Sequence, residues 1–493
     1  MTAKPKPSGS VIEPVEAQRM DIPLCVDLDG TVLRSDLLVE AYFGLLTVNF
    51  LTALQAPLWL LRGKANLKAE VAQRVNLDVT TLPYNERFLT YLREQRAEGR
   101  YLVLATASPE KYATQVAEHL GLFDEVIATK NNINLSGDNK AEGLVQRFGE
   151  GNFDYAGNGR PDLAVWKRAH RAVLVDPEPG VARVVQDVIE VESLIENERP
   201  GVRDYLKALR LHQWSKNLLV FVPLLGAHRV GELDLFAHAS LAFIVFGLCA
   251  SSVYLLNDLL DLPADRAHPR KRRRPFAAGT VPIVHGVMLA PLLLILAFGL
   301  ALLLPPLFGA VLALYYVSTL TYSLWLKRVV LVDVLLLAGL YTARVLAGAA
   351  AVEVIPSFWL LAFSMFLFLS LALAKRHTEL GVMLERGAES THGRGYQSSD
   401  LVALLSLGAA AGYMAVLVLA LYINSPEVGK LYNRPEAIWL LCPLLLYWIS
   451  RLWLGAHRGK LHDDPVIFAL KDHVSRWVIL MTVIIVLTAT YAA

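Results

Sequence analysis

The sequence is poor in charge. Only 19% of its 493 residues are Asp, Glu, Lys or Arg, while 54% are hydrophobic, which is too apolar for an ordinary soluble protein of this length. The charges nearly cancel, at a net +2, so nothing in the balance points to a nucleic-acid partner. Cysteine is scarce as well. Cys25, Cys249 and Cys442 form no metal-binding or redox spacing, and packing is the ordinary role of such isolated thiols. Residues 1–20 are polar and Pro-rich and lack the apolar core of a secretory leader. The first domain is therefore expected to stay in the cytoplasm.

The apolar excess is uneven. Residues 21–192 alternate apolar runs with charges, a linker reading occupies 193–204, and residues 205–493 hold long apolar stretches broken by short charged loops. One soluble domain followed by a membrane domain is the expectation. In the first part, apolar runs at 24–26, 101–105, 125–128, 153–156 and 172–175 alternate with helical patterns at 109–119, 140–148 and 162–169. That alternation argues a Rossmann-like α/β domain with a parallel sheet, whose active site belongs at the carboxyl ends of the strands.

Asp27 and Asp29 sit at such an end, in Asp27-Leu-Asp-Gly-Thr31. Two carboxylates so close repel each other unless a cation lies near. Oxygen ligands of this kind suit Mg²⁺, and a carboxylate nucleophile beside a carboxyl acid/base is a covalent strategy. Further along stand Thr106 at a strand end, Lys140 in Gly137-Asp-Asn-Lys140, and Asn158 and Asp162 in Gly157-Asn-Gly-Arg-Pro-Asp162. These four motifs, in this order over roughly 20–190, resemble the haloacid dehalogenase superfamily. The resemblance implies Asp27 as nucleophile, Asp29 as acid/base, Thr106 and Lys140 as holders of the phosphoryl group, and Asp27, Asp29, Asn158 and Asp162 around Mg²⁺. That family usually has Asp where Asn158 stands, so one negative charge is missing. An active phosphatase and a regulatory domain both remain open. The insert at about 33–85 reads as a small helical cap. Its run Phe50–Leu61 either packs that cap or touches lipid, and is too short to count as a span.

In the second part, Tyr205–Trp214 mixes Tyr, Leu and Trp with Lys and Arg, as an interfacial helix does. Nine apolar segments follow, at about 215–229, 236–259, 281–303, 306–326, 329–352, 356–374, 401–423, 436–455 and 474–492. Nine transmembrane helices are therefore expected, the first of them short. Loops after the second, fourth, sixth and eighth segments carry roughly sixteen Lys and Arg against about three on the other side, which places the rich loops in the cytoplasm. A multi-pass protein of a bacterial-type inner membrane follows, with its active sites on the cytoplasmic face.

The second segment ends in Asn257-Asp258-Leu-Leu-Asp261-Leu-Pro-Ala-Asp265-Arg266. On one helix Asp258, Asp261 and Asp265 share an arc of about 60°, with Pro263 set to kink it. Carboxylates at a membrane boundary are costly unless they serve a function, and Mg²⁺ shared with a diphosphate neutralises them. Lys271 and Arg274 follow in a basic loop that either sets topology or grips phosphate. Asn257–Asp265 with Lys271, Arg274 and Gly279 resembles the first signature of the UbiA superfamily, nine helices around a cavity, whose members move prenyl groups from prenyl diphosphates. The second Asp-rich motif of that family is absent: its place reads Lys375-Arg-His-Thr-Glu379.

A narrower resemblance rests on His212-Gln-Trp-Ser-Lys216-Asn217, the Asn257 motif, Tyr322-Ser-Leu-Trp-Leu-Lys327 with Asp333, and Lys375–Glu379. It points to the decaprenyl-phosphate phosphoribosyltransferase branch. The substrates implied are phosphoribosyl diphosphate and a polyprenyl phosphate. Asp258, Asp261 and Asp265 would hold Mg²⁺. Asn257, Arg266, Lys271, Arg274, Lys216, Tyr322, Lys327, Lys375 and Arg376 would contact substrate. The soluble domain would then remove the 5-phosphate from the lipid product. Ordinary prenyl transfer from a prenyl diphosphate to a small acceptor is the alternative.

Overall fold

The computed structural model describes residues 22–130, 134–384, 395–426, 428–461, 468–469 and 472–491. The polar tail 1–20 lies outside them. The chain divides into two compact units. One runs to Ala208 and takes in Asp258–Val287; the other comprises Leu209–Asn257 and the chain from Met288. The sequence boundary at 205 did not anticipate that the Asp-rich segment and its basic loop belong with the first unit.

The first unit is built on a six-stranded parallel sheet of order β3-β2-β1-β4-β5-β6. The strands are β1 (Leu24–Val26), β2 (Leu102–Pro109), β3 (Glu125–Thr129), β4 (Asp154–Gly157), β5 (Ala172–Val175) and β6 (Val191–Ile195). β1 lies in the middle, with Cys25 registered against Val103 on one side and Tyr155 on the other. Side chains alternate faces along each strand. Leu24, Val26, Leu102 and Leu104 therefore pack with Phe88, Tyr112 and Val116 on one face. Cys25, Val103 and Tyr155 pack with Leu144 and Trp166 on the other. The sheet reaches past the expected boundary at 192, because β6 pairs with β5 up to Ile195. Glu196, Asn197, Glu198, Pro200 and Gly201 made 193–204 read as a linker, yet the strand runs into it, and the Glu192 carboxylate at its start is neutralised by Arg100, which is 5% exposed and also pairs with Asp154.

The insert after β1 is helical, as expected: α1 (Leu37–Val48), α2 (Phe50–Ala53), α3 (Ala56–Leu61) and α4 (Lys64–Arg74). Asp36 caps α1 by accepting from the backbone N–H groups of Leu38 and Val39, the donors a helix start leaves unpaired.

The second unit is helical. Among the described residues, eight helical segments are long and apolar enough to cross a membrane: Leu233–Leu260, Ile283–Ala301, Pro306–Leu324, Val332–Ala351, Phe358–Leu384, Asp400–Ile423, Pro435–His457 and His473–Tyr491. Two of these bounds cross the division between the units, because contacts, not helix ends, define it. The first apolar segment, 215–229, differs from expectation. It consists of a 3-10 run, Leu211–Phe221, and a five-residue helix, Val222–Gly226, with Pro223 in its first turn. That is too short to span a bilayer. It packs closely on Val332–Ala351 instead: a Cβ on Gly348 would stand 2.0 Å from the Val220 carbonyl oxygen, so only glycine admits the backbone there. The interfacial helix also ends early, at Ala208, before Arg210 takes a positive φ of 52°.

Candidate functional site

The carboxyl ends of β1, β2 and β4 gather the first cluster. Asp27 follows β1 directly, its N–H bonded to the Ala156 carbonyl of β4. The Lys140 ammonium, brought in by the helix Asp138–Phe148, lies 2.8 Å from the Asp27 carboxylate and 2.8 Å from the Tyr155 hydroxyl. Tyr155 in turn donates to Asp162 at 2.7 Å. Asp29 accepts from the Leu37 N–H at 2.8 Å and from the Ser108 hydroxyl at 2.5 Å. Thr106 is fully buried, its hydroxyl oxygen accepting from the Ser108 N–H.

Burial pushes the Asp27 carboxyl up to about 6 against the pull of Lys140, with Asp162 adding to the rise. Asp29 is pushed up to about 7 by burial and by the charges of Asp36 and Asp27, against the hydrogen bonds from Ser108 and Leu37. Burial would lower the Lys140 ammonium, but Asp27 and Asp162 win and hold it above its ordinary value.

Asp27, Asp29, Thr106, Lys140 and Asp162 thus come together as the motifs implied, but Asp162 has a different place. Its Oδ2 accepts from the N–H groups of Asn158 and Gly159, and its Oδ1 from Tyr155. These bonds make it a brace for Lys140 and the Asn158 loop. Asn158 stays in the site. Its amide lies against Gly30, where a Cβ would stand 2.3 Å from Asn158 Nδ2, and Gly30 has φ +77°, so a side chain there is excluded on both grounds. The Asp27 and Asp29 carboxyls are raised first by burial and then by neighbouring carboxylates, so their ionised forms gain from a nearby cation. With the Asn158 amide against Gly30, the residue after Asp29, these hard oxygens fit a divalent cation.

Sequence reasoning missed Ser108, Tyr155 and Lys68. Ser108 follows Thr106 by two residues at the same strand end, a spacing that offered the signal. Lys68 of α4 bonds the Ala107 carbonyl at 2.7 Å and lines a cleft of about 400 Å³ together with Gln73, Thr129 and Lys130.

The second cluster is the Asp-rich segment. The chain breaks at Asp261, and a new helix, Leu262–Ala267, begins with Pro263 in its first turn. Proline therefore starts a helix where a kink was expected. Asp258 and Asp265, each 2% exposed, converge on one guanidinium nitrogen of Arg274, at 3.1 Å from Asp258 and hydrogen-bonded to Asp265. Burial raises the Asp265 carboxyl, opposed by Arg274. Two carboxylates meeting at one cation are a fit for Mg²⁺, with other ligands coming from substrate and water. Among the described residues no three His, Cys, Asp or Glu side chains are close enough to hold an ion by themselves. Lys271 is exposed. Arg266 is not offered to a substrate: it is 8% exposed, and its guanidinium makes two bonds to Glu40 of α1, at 2.8 and 2.6 Å.

The third cluster lies in the second unit. Lys216 is 8% exposed, over the ring of Tyr341, and its neighbour Asn217 accepts from Arg344 at 3.1 Å. Arg344 is a buried arginine inside Val332–Ala351 that also bonds the Tyr315 hydroxyl. A lone cation in an apolar span was the legible signal for it. The Phe358–Leu384 helix runs ten residues past the expected end, so Lys375–Glu379 lies on it. Arg376 is fully buried, 2.8 Å from Asp333 and bound to Glu379, and Tyr396 donates to the same Asp333. In this structure the Arg376 guanidinium is held in ion pairs with Asp333 and Glu379. Lys375, Tyr322, Lys327 and Asn257 are partly buried, with Tyr322 in electrostatic reach of Lys375.

A cluster of carboxylates and a lysine at the carboxyl ends of a parallel sheet, with a helical membrane domain, fits a membrane transferase fused to a hydrolase-like domain. The chain belongs to the UbiA prenyltransferase family, which matches residues 218–465, and its N-terminal domain is haloacid dehalogenase-like, matching that hydrolase family over 24–164. It is a multi-pass membrane protein. The uncharacterized protein y4nM of Sinorhizobium fredii is 37% identical over 457 residues, 92% of this chain and 88% of its own length, a match long enough to include both halves. The nodulation protein NoeC of Azorhizobium caulinodans is 37% identical over 54% of this chain and 87% of its own. The decaprenyl-phosphate phosphoribosyltransferase of Mycolicibacterium smegmatis is 33% identical over 55% of this chain and 88% of its own.

Proposed function

We propose that the membrane half transfers a 5-phosphoribosyl group from phosphoribosyl diphosphate to a polyprenyl phosphate, and that the N-terminal domain removes the 5-phosphate of the product. The convergence of Asp258 and Asp265 on Arg274 carries the first step, in a chain 33% identical to a decaprenyl-phosphate phosphoribosyltransferase. A polyprenyl phosphate oxygen attacks the anomeric carbon, and the bond to diphosphate breaks. Asp258 and Asp265, with Asp261, would hold Mg²⁺, which supplies charge neutralisation for the leaving diphosphate. Arg274 and Lys271 then turn to phosphate oxygens, and Lys216, Tyr322, Lys327 and Lys375 are the candidates for the remaining anionic groups. Lys375 occupies the place where prenyltransferases carry carboxylates, which favours this reading over prenyl transfer.

In the second step Asp27 attacks the phosphorus and the bond to the ribose oxygen breaks. Asp29, whose carboxyl is raised to about 7 chiefly by burial, gives the leaving oxygen its proton. Lys140 and Thr106 hold the phosphoryl oxygens. Asp27, Asn158 and Asp29 would hold a Mg²⁺ there. Water then attacks the aspartyl phosphate, Asp29 takes its proton, and inorganic phosphate leaves. One chain raises the effective concentration of the product for the second step. Positive loops argue that both sites face the cytoplasm across an inner membrane.

The test is a membrane assay with radiolabelled phosphoribosyl diphosphate, polyprenyl phosphate and Mg²⁺. Wild type should move label into lipid and release both diphosphate and phosphate, and Asp27→Asn should stop at the phosphorylated lipid. Consumption of a prenyl diphosphate with an aromatic acceptor, and no labelled lipid, would replace the first step by prenyl transfer.

A further inference from the structure

The insert that covers the phosphatase centre carries a surface that neither proposed reaction uses. From Asn49 to Leu61 there is no charged residue. Over that turn of chain Val48 is 73% exposed, Leu51 74%, Leu54 57%, Leu58 62%, Leu60 48% and Leu61 84%. The elements α2 and α3 bury only their inner face, with Ala53, Ala56 and Trp59. Trp59 is fixed there by packing and by Arg74, whose guanidinium lies 4.9 Å over its ring. The outward leucines thus stand on a ridge anchored from below. Elsewhere on this unit exposed large apolar side chains, such as Tyr101 and Val184, are scattered. Contiguous apolar exposure of this kind marks an interaction surface.

We infer that this ridge docks on the phospholipid bilayer, as an interfacial element that inserts its leucines among acyl chains and spans nothing. Three observations select the bilayer as occupant. The chain crosses a membrane, so a lipid surface is a continuous neighbour of every domain it tethers. Phe50–Leu61 is too short to span, yet turns an apolar face outward as an interfacial helix does. Arg62 and Lys64, both exposed, close the ridge at one end, where they complement anionic headgroups.

The docking goes beyond the proposed reactions and stands whether or not the domain hydrolyses a lipid. Its consequence for them is direct. The same insert continues into α4, where Lys68 bonds the Ala107 carbonyl beside Ser108, the residue that holds Asp29. A docked ridge therefore sets the mouth of the phosphatase centre at headgroup level, where a lipid-linked phosphate resides and a soluble ester does not.

The test uses the full chain in nanodiscs of phosphatidylcholine and phosphatidylglycerol. An environment-sensitive fluorophore is placed on Leu58→Cys or Leu61→Cys, and on Arg93→Cys as an aqueous control. The native cysteines are buried, and unsubstituted protein provides the blank. The ridge probes should be quenched several-fold more by lipids bearing an acyl-chain nitroxide than the control, and less by iodide. Equal quenching at all three positions overturns the inference. So does a blue shift without nitroxide quenching, which means that protein, a second copy or another chain, covers the ridge. A companion triple variant, Leu51→Ser with Leu58→Ser and Leu61→Ser, should raise KM for a lipid-linked phosphate and leave kcat/KM for a soluble aryl phosphate unchanged. Loss of both together means that the fold has failed, and the fluorescence readout on the single-site proteins then decides.

Discussion

Arg266 closes the Asp-rich segment with both terminal guanidinium nitrogens on the carboxylate of Glu40, a residue 226 positions earlier in the helix that follows the Asp27–Thr31 loop. The pair is almost wholly buried, Ser35 donates to the same carboxylate, and Arg266 Nε reaches the Ala277 carbonyl. Gly279 packs nearby, where a Cβ would stand 3.0 Å from Pro83. The phosphatase-like domain therefore holds the segment that carries Asp258 and Asp265.

Breaking this pair from one side should be severe. Glu40→Gln leaves a buried guanidinium without its counter-charge, which costs about 3–5 kcal/mol. Replacing both partners, Glu40→Leu with Arg266→Met, should cost far less, since the desolvation of two charges is relieved together. Thermal unfolding in detergent checks the order. The single variant should also lose magnesium-dependent transfer, because Asp265 and Arg274 lose their anchor, while equal midpoints for single and double variants would remove the pair from the stability of this unit.

The raised carboxyls make metal-free stability depend on pH. Asp27 and Asp29 titrate at about 6 and about 7 in the folded chain against an ordinary 3.8. The native state thus binds more protons than the unfolded one between those limits. Their contribution is fully present below about pH 4 and is lost as pH rises through 6 and 7. With EDTA present, the unfolding midpoint of the first unit should fall from pH 5 to pH 8, and Asp29→Asn should reduce that fall. Added Mg²⁺ should restore the midpoint at pH 8, since a ligand that binds only the folded state stabilises it.

Periodicity and motif spacing made the sheet and most spans legible, because β1 through β5 are built around short apolar runs and the long helices are predominantly apolar. What escaped depends on partners distant in sequence. The polar run from Glu196 to Gly201 hid the end of β6, and the Glu192 charge on that strand is met by Arg100 and by the Tyr91 hydroxyl. The segment 215–229 is apolar enough for a helix, yet Pro223 and its close seat on Gly348 make it a 3-10 run and a short turn of helix. Likewise Arg266 and Arg376 carry the right charge for phosphate, but Glu40, Asp333 and Glu379 claim them. A cation in a motif announces its charge and not its counter-ion.

Asp265→Asn and Arg274→Ala separate the two activities. Either change should lower transfer of labelled phosphoribosyl to lipid on the order of 10²–10³-fold, the loss expected when a charge-stabilising group is removed from a transition state. Magnesium-dependent hydrolysis of a soluble aryl phosphate should persist, because Asp27, Lys140 and Tyr155 are bonded to one another and not to this segment. Loss of both activities in Asp265→Asn would tie the phosphatase centre to the Asp-rich segment.

Asn158 is the departure from the haloacid dehalogenase pattern, and it is testable in the direction of gain. Its backbone N–H is fixed by Asp162 and its amide rests on Gly30, so the loop that would present a carboxylate is already in place. Asn158→Asp adds a second anionic oxygen donor for a hard cation. It also adds a negative charge beside Asp29, which should push that carboxyl further up. The expected outcome is half-maximal hydrolysis at lower Mg²⁺, by roughly 10-fold or more. Without metal, the variant should unfold at a lower midpoint at pH 8 than wild type, since the new carboxylate has no counter-ion. A magnesium titration of aryl phosphate hydrolysis, paired with unfolding in EDTA, reads both. An unchanged magnesium dependence would mean that position 158 does not face the cation, and the metal site would then rest on Asp27 and Asp29 alone.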